Sequence, residues 1–308
     1  MRKFLNLILI LIFSTALLQG ETNDNAGYAG AFLRMGLGAR ATAMGNSGVA
    51  FPSNGFGIYY NPAGLAYMDE RNLALSYSFL SLDRQFHFIG LSVPLPPNAG
   101  VGVSWLHAGV KDIEGRNSIG QVDETYQTGE NVVLISFANA FHPRISLGIN
   151  FKILHNQMLD VSATGLGFDF GVLYQPLEWL TAGLQFKDIG AGYNWNTQDL
   201  FGEEGSSYKE NFPQILKFGL AIKPIQELTF VGDVGVSDQN VWQTHCGAEY
   251  VYRNLAFLRI GMNQLSPTFG AGLAYGFIAN MTTQLDYSFI IGAVGEGTTH
   301  IFSWQFQF

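Results

Sequence analysis

The chain has 308 residues, among them 37 Gly, 25 Phe and 13 Tyr, and only 13% of it is charged, for a formal net charge of −8. That acidic balance excludes the basic footprint of a nucleic-acid-binding domain, and a single cysteine, Cys246, excludes an intrachain disulfide framework. Beyond residue 20 no apolar run is long enough for a membrane-spanning helix, so a chain this apolar is either a large buried β protein or a membrane barrel.

Residues 1–20 have the three-part layout of a secretory signal peptide: Arg2 and Lys3, an apolar run from Phe4 to Leu18, then Gln19 and Gly20. Cleavage is expected near Gly20. Asn6, Ser14 and Thr15 interrupt the run, which argues against a membrane anchor, and no Cys follows it, which argues against a lipoprotein. Without this leader, 14 basic residues face 24 acidic ones.

Residues 21–70 do not alternate. Phe32 to Gly45 is rich in small side chains, and Asn61-Pro62 marks a turn or helix start. A segment of this kind ahead of the first strand is expected to fold inside a barrel as a plug.

From Asn72 onward fourteen runs show period-two patterning bounded by turn residues: 72–80, 84–94, 98–110, 128–142, 144–158, 164–176, 179–190, 212–223, 227–237, 242–252, 254–262, 267–277, 280–291 and 297–308. Most are long enough to cross a bilayer when tilted, which takes about 9 to 11 residues. The even-numbered connections are short, such as His142-Pro143-Arg144 and Tyr252-Arg253-Asn254, whereas the two long ones, Lys111–Glu130 and Ala191–Asn211, are odd-numbered. Short turns on one side and long loops on the other are the habit of bacterial outer-membrane barrels.

The faces of these runs are unequal. Leu166, Phe168, Phe170, Val172 and Tyr174 share one face, opposite Gly165, Gly167, Asp169 and Gly171. Strand after strand places one charge among small residues: Lys152, Asp169, Lys187, Lys217, Asp233, Glu249, Arg259 and Asp286. These are expected to face the lumen, because Arg or Lys on the lipid side costs about 2–4 kcal/mol at the bilayer midplane. Lumen glycines leave room for water, a plug or cargo. The last run ends with Phe302, Trp304, Phe306 and Phe308 on one face, which resembles the outer-membrane insertion signal of barrel proteins, carried by Trp304, Phe306 and Phe308.

The expected fold is therefore all-β: a 14-stranded antiparallel transmembrane β-barrel over residues 71–308, preceded by a plug or hatch at 21–70 and a signal peptide at 1–20. Gly38-Ala39-Arg40, Ala43-Met44-Gly45 and Asn61-Pro62-Ala63-Gly64-Leu65 resemble the N-terminal signature of the PorV/PorQ family, which is similar to the FadL-type channels with their Asn-Pro-Ala hatch element and fourteen strands. The resemblance implies hatch positions at Arg34, Gly38, Arg40, Met44, Gly45, Asn61, Pro62 and Gly64. The chain is compact, with fewer long outer loops than a PorV-like secretion shuttle.

Enzymatic motifs are weak. Gly36-x-Gly38 and Gly270-x-Gly272 do not sit between a buried strand and a helix, as a dinucleotide loop requires. The six His residues lack metal-ligand spacing, and His300 and Ser303 lie three apart in a strand and so face opposite sides. No cofactor or metal is expected. Acidic residues such as Asp112, Glu124, Glu203 and Glu210 read as solvated loops, with divalent-ion bridging to lipopolysaccharide as the sharper alternative.

Two functions stay open. The PorV/PorQ resemblance implies a non-enzymatic accessory of protein export or surface attachment, of the type IX secretion kind, with secreted cargo or secretion-system subunits as partners. The alternative is a FadL-like transporter of fatty acids or other hydrophobic small molecules. Either would sit in the bacterial outer membrane, in contact with its lipid and lipopolysaccharide.

Overall fold

The computed structural model describes residues 27–51, 54–278, 281–291 and 297–308. The signal-peptide expectation falls on residues outside this set.

Among the described residues sixteen strands follow one another: β1 (Asn72–Phe79), β2 (Arg84–Leu95), β3 (Ala99–Arg116), β4 (Val122–His142), β5 (Ile145–Met158), β6 (Val161–Leu177), β7 (Leu180–Ile189), β8 (Gly192–Asn196), β9 (Ser207–Asn211), β10 (Ile215–Ile225), β11 (Leu228–Ser237), β12 (Trp242–Tyr252), β13 (Ala256–Asn263), β14 (Ser266–Ile278), β15 (Met281–Ile291) and β16 (Thr298–Gln307). Fourteen of them form a closed antiparallel barrel, in which β7 pairs with β10 and β16 returns to β1. At the seam Leu75 lies opposite Trp304, and Arg71 and Phe308 exchange two backbone hydrogen bonds of 3.1 Å. Closure removes the sheet edges that would otherwise invite aggregation.

Each wall strand coincides with one of the fourteen expected runs to within three residues at its ends, except that β3 runs on and β4 starts earlier by six residues at the end they share. The two long connections are more ordered than a loop reading implies. β3 and β4 pair on beyond a bulge at Asp112 (φ 56°) up to Arg116 and Val122, where the Asn117 side chain accepts from the Ile119 and Gln121 N–H groups to close the turn. The seventh connection contains a second hairpin, β8–β9, which pairs with β6 at Ala163 and Thr164. Both stretches are locally polar, so their strands lack the apolar alternation that marks the others.

Alternation sorts the wall into two surfaces. Ile149, Ile153, Leu166, Phe168, Phe170, Phe302 and Trp304 are exposed on the outside, a belt suited to hydrocarbon and not to water. Among the described residues no helix is long and apolar enough to cross a membrane.

The N-terminal segment packs against the inner surface. Helix α1 (Ala39–Ala43) lies against β13–β16, and a 3-10 helix over Pro62–Tyr67 lies against β2–β6; the short helix α2 (Gly57–Tyr60) leads into it. Wall glycines are what admit this backbone. A methyl group at Gly247 would sit 2.5 Å from Met44 Cα, one at Gly261 2.2 Å from Gly45 N, and one at Gly148 2.3 Å from Ala63 N. Gly45 itself has φ 72°, and a side chain there would strike the Met262 and Cys246 carbonyls at 2.3 and 2.4 Å, so only glycine fits both the backbone and the space.

Candidate functional site: lumen and outer cleft

All eight charged residues singled out from the strand pattern are buried: Lys152, Asp169, Lys187, Lys217, Asp233, Glu249, Arg259 and Asp286. They gather into local groups. On one side of the barrel Glu249 and Arg259, direct cross-strand partners, pair at 2.6 Å, and Arg259 reaches over Gly272 to Asp286 at 2.7 Å. Arg40 from α1 completes this group with two hydrogen bonds to Glu249, and its guanidinium stacks 4.5 Å from the Phe51 ring. Bidentate geometry is the strong form of such a pair.

The second group centres on a bulge. Phe168 pairs with Ile189 and Phe170 with Phe186, so Lys187 and Asp188 both stand opposite Asp169 and both turn inward. Lys152 makes ion pairs of 2.6 Å with Asp169 and with Asp188. Lys187 donates instead to the Leu33 carbonyl (2.7 Å) and lies 3.9 Å over the Tyr59 ring. Asp188 escapes sequence reasoning because strict alternation puts it outside; its αL backbone (φ 61°) just before Gly190 is the local signal of the irregularity.

Asp233 accepts from the backbone N–H groups of Gly48 (2.7 Å) and Val49 (3.1 Å), and Lys217 lies nearby, opposite Gly235 in the register that sets Asp233 opposite Gly219. The hatch positions are distributed as follows. Asn61 is fully buried; its Oδ1 accepts from Ala63 N to cap the 3-10 helix, while its amide donates to the carbonyls of Val49 (2.8 Å) and Val172 (3.1 Å). Pro62 occupies the first helical position, and Gly64 N–H donates to Asn61 O. Gly38 precedes α1 at φ 73°, against the Phe56 ring, and Met44 is buried against Gly247. Arg34 donates to the carbonyls of Tyr28 and Ala29 in its own segment. The insertion-signal side chains Trp304 and Phe308 are exposed and Phe306 is half-buried.

Neutral links that the charge pattern does not reveal also join segment and wall. Thr268 Oγ1 donates to Ala43 O and accepts from Gly45 N, Ser303 Oγ accepts from Ala39 N, and Asn150 donates to Ile58 O. Within the segment, Tyr59 donates to Leu33 O (2.6 Å) and Tyr60 to Asn46 Oδ1 (2.7 Å). Burial pushes both phenols above their ordinary pKa, which keeps them as O–H donors.

The lumen also holds an apolar cluster. The inner faces of β2–β5 present Phe86, Phe88, Leu106, Val132, Leu134 and Leu154, which form one buried cluster with Phe32, Leu33, Leu37, Phe56 and Ile58 of the N-terminal segment, beside the charged group of β5–β7. This apolar core continues to Tyr193 on β8 and to Phe212, so it extends to the end of the barrel where the β8–β9 hairpin folds over. Tyr193 donates to Glu130 (2.7 Å), tying the hairpin to β4.

At that outer end lies a cleft of about 520 Å³ between the tip of the β5–β6 hairpin and the β8–β9 hairpin. Met158, Leu159, Val161, Trp195, Leu200 and Phe201 supply its apolar lining; Asp160, Thr197 and Glu210 are its polar groups. Trp195 donates its indole N–H to Glu210 (2.9 Å) and packs against Tyr193, with ring centroids 5.9 Å apart, which connects the cleft to the lumen core. Sequence reading had no access to this site, because its two walls come from connections some forty residues apart. No group of three or more His, Cys, Asp or Glu is placed to hold a metal ion among the described residues.

No protein-family model matches the sequence, and no curated protein does. Solved structures do match. The toluene transporter TodX of Pseudomonas putida superposes with a TM-score of 0.65 at 14% identity, over 88% of this chain and 98% of that one. A FadL homologue of Pseudomonas aeruginosa gives 0.58 at 13%, over 88% and 98%, and the monoaromatic hydrocarbon channel CymD gives 0.58 at 15%, over 88% and 96%. At these identities the likeness establishes the fold alone: a closed 14-stranded antiparallel barrel.

Proposed function

We propose that the chain is a non-enzymatic outer-membrane channel for hydrophobic small molecules, with residues 27–70 as its plug. The observation that carries this reading is that the apolar lining of the outer cleft packs, through Trp195 and Tyr193, into the apolar cluster that holds Phe86, Phe88 and Leu106 between wall and N-terminal segment. A concave apolar site with a few fixed polar groups is what a small hydrophobic ligand requires. The structural neighbours that are hydrocarbon transporters and channels support the same reading.

Removal of the signal peptide, passage to the outer membrane and insertion through Trp304, Phe306 and Phe308 belong to this proposal. Contact of the barrel with lipopolysaccharide does too. The export reading rests on the short motifs around Gly38, Met44 and Asn61 alone, and no structural neighbour described above is an export protein.

Uptake of a labelled monoaromatic hydrocarbon by cells expressing the chain, compared with cells lacking it, tests the reading. Uptake should rise with expression and fall when Trp195 is replaced by Glu. Unchanged uptake, with secreted proteins co-purifying with the barrel, would overturn transport in favour of export.

A further inference from the structure

The outer cleft carries charge of one sign. Its apolar lining is interrupted by Asp160 at the tip of the β5–β6 hairpin and by Glu210 on β9, and among the described residues no Lys, Arg or His belongs to it. The hydrogen bond from Trp195 to Glu210 fixes an indole beside a carboxylate. The two long connections have the same sign: Lys111–Glu130 and Ala191–Asn211 together contain nine Asp and Glu against Lys111, Arg116 and Lys209, and Arg116 is itself paired with Glu114. A carboxylate ligand nearing this mouth meets like charge, whereas a cation is concentrated there and guided inward. An aromatic ring next to a carboxylate suits an alkylammonium head, and the apolar floor suits its chain.

We propose that the cleft selects amphiphiles with a positively charged head, of the quaternary-ammonium or alkylamine class, over fatty-acid anions of the same chain length. The inference rests on the channel reading above and adds the charge of the ligand to it. Uncharged chains fall between the two.

The test is calorimetric titration of dodecyltrimethylammonium, dodecanol and dodecanoate into the full chain held in phosphatidylcholine nanodiscs at low ionic strength, with empty nanodiscs subtracted. The ammonium should bind about tenfold more tightly than dodecanoate, the scale of two partly exposed charge interactions. In the double variant Asp160→Asn, Glu210→Gln that ratio should fall to about threefold or less with dodecanol unaffected, since glutamine keeps an acceptor for Trp195. Equal binding of ammonium and dodecanoate beside normal dodecanol binding, or a ratio that survives both substitutions, overturns the charge selection and leaves the channel reading standing. Failure of all three ligands to bind, dodecanol included, overturns both.

Discussion

Arg40 and Glu249 meet through two parallel hydrogen bonds, Nε to Oε2 at 2.9 Å and Nη2 to Oε1 at 2.7 Å, and so join the N-terminal segment to a wall strand 209 residues further along the chain. Glu249 also holds Arg259, so one carboxylate orients two guanidinium groups inside the barrel. The N-terminal segment is bound to the wall by directional chemistry as well as by contact area.

Replacing Glu249 with Gln leaves Arg40 with a neutral partner and Arg259 with Asp286 alone. Breaking such a pair from one side costs about 3–5 kcal/mol. The temperature at which the folded band of the barrel converts to the unfolded band on gels should drop, and protease should cut within residues 27–51 sooner than in the parent protein. An unchanged transition would show that the group contributes nothing to holding the segment.

Gly247→Val should displace the segment without dismantling the wall, because its first added carbon would overlap Met44 Cα at 2.5 Å. Gly276→Ala is the matched control, with no atom within 4 Å of the added methyl. Influx of a large antibiotic normally excluded by the outer membrane should rise for the first variant and not for the second. Equal influx in the two would mean that the packing of Met44 does not govern passage.

The intact protein should show little steady conductance in planar bilayers, since the inner face of the wall is occupied from β2 to β16. Removal of residues 27–51 should produce open, steady channels in preparations whose heat-modifiable mobility shows an assembled barrel. A fourteen-stranded wall is too wide for its own side chains to fill. A wide pore already present in the intact chain would contradict the assignment of residues 27–70 as a plug.

Phe308 exchanges two hydrogen bonds with Arg71 at the seam between β1 and β16 and is exposed on the outer face. Changing it to Asp, or deleting it, should lower the yield of heat-modifiable barrel in membranes severalfold. Normal yield would separate seam closure from the aromatic pattern of β16.

Period-two alternation made the wall legible: fourteen strands, their approximate ends, their inner and outer faces, and a charge on the inner face of many of them can be read along the chain, because in a strand each side chain's direction follows from its position alone. Pairing is another matter. Nothing in the local pattern says that Arg259 crosses Gly272 to Asp286, that Lys217 lies near Asp233 while Lys187 turns to the Leu33 carbonyl, or that Arg40 and not Arg34 meets Glu249. Those choices follow from strand register and from the path of a segment that has no periodicity to read. Asp188 shows the limit most directly, since one bulge reverses the face that alternation assigns to it. The outer cleft, and the apolar cluster between β2–β5 and the N-terminal segment, arise only when hairpins and strands distant in sequence are brought together, and so they belong to the tertiary structure.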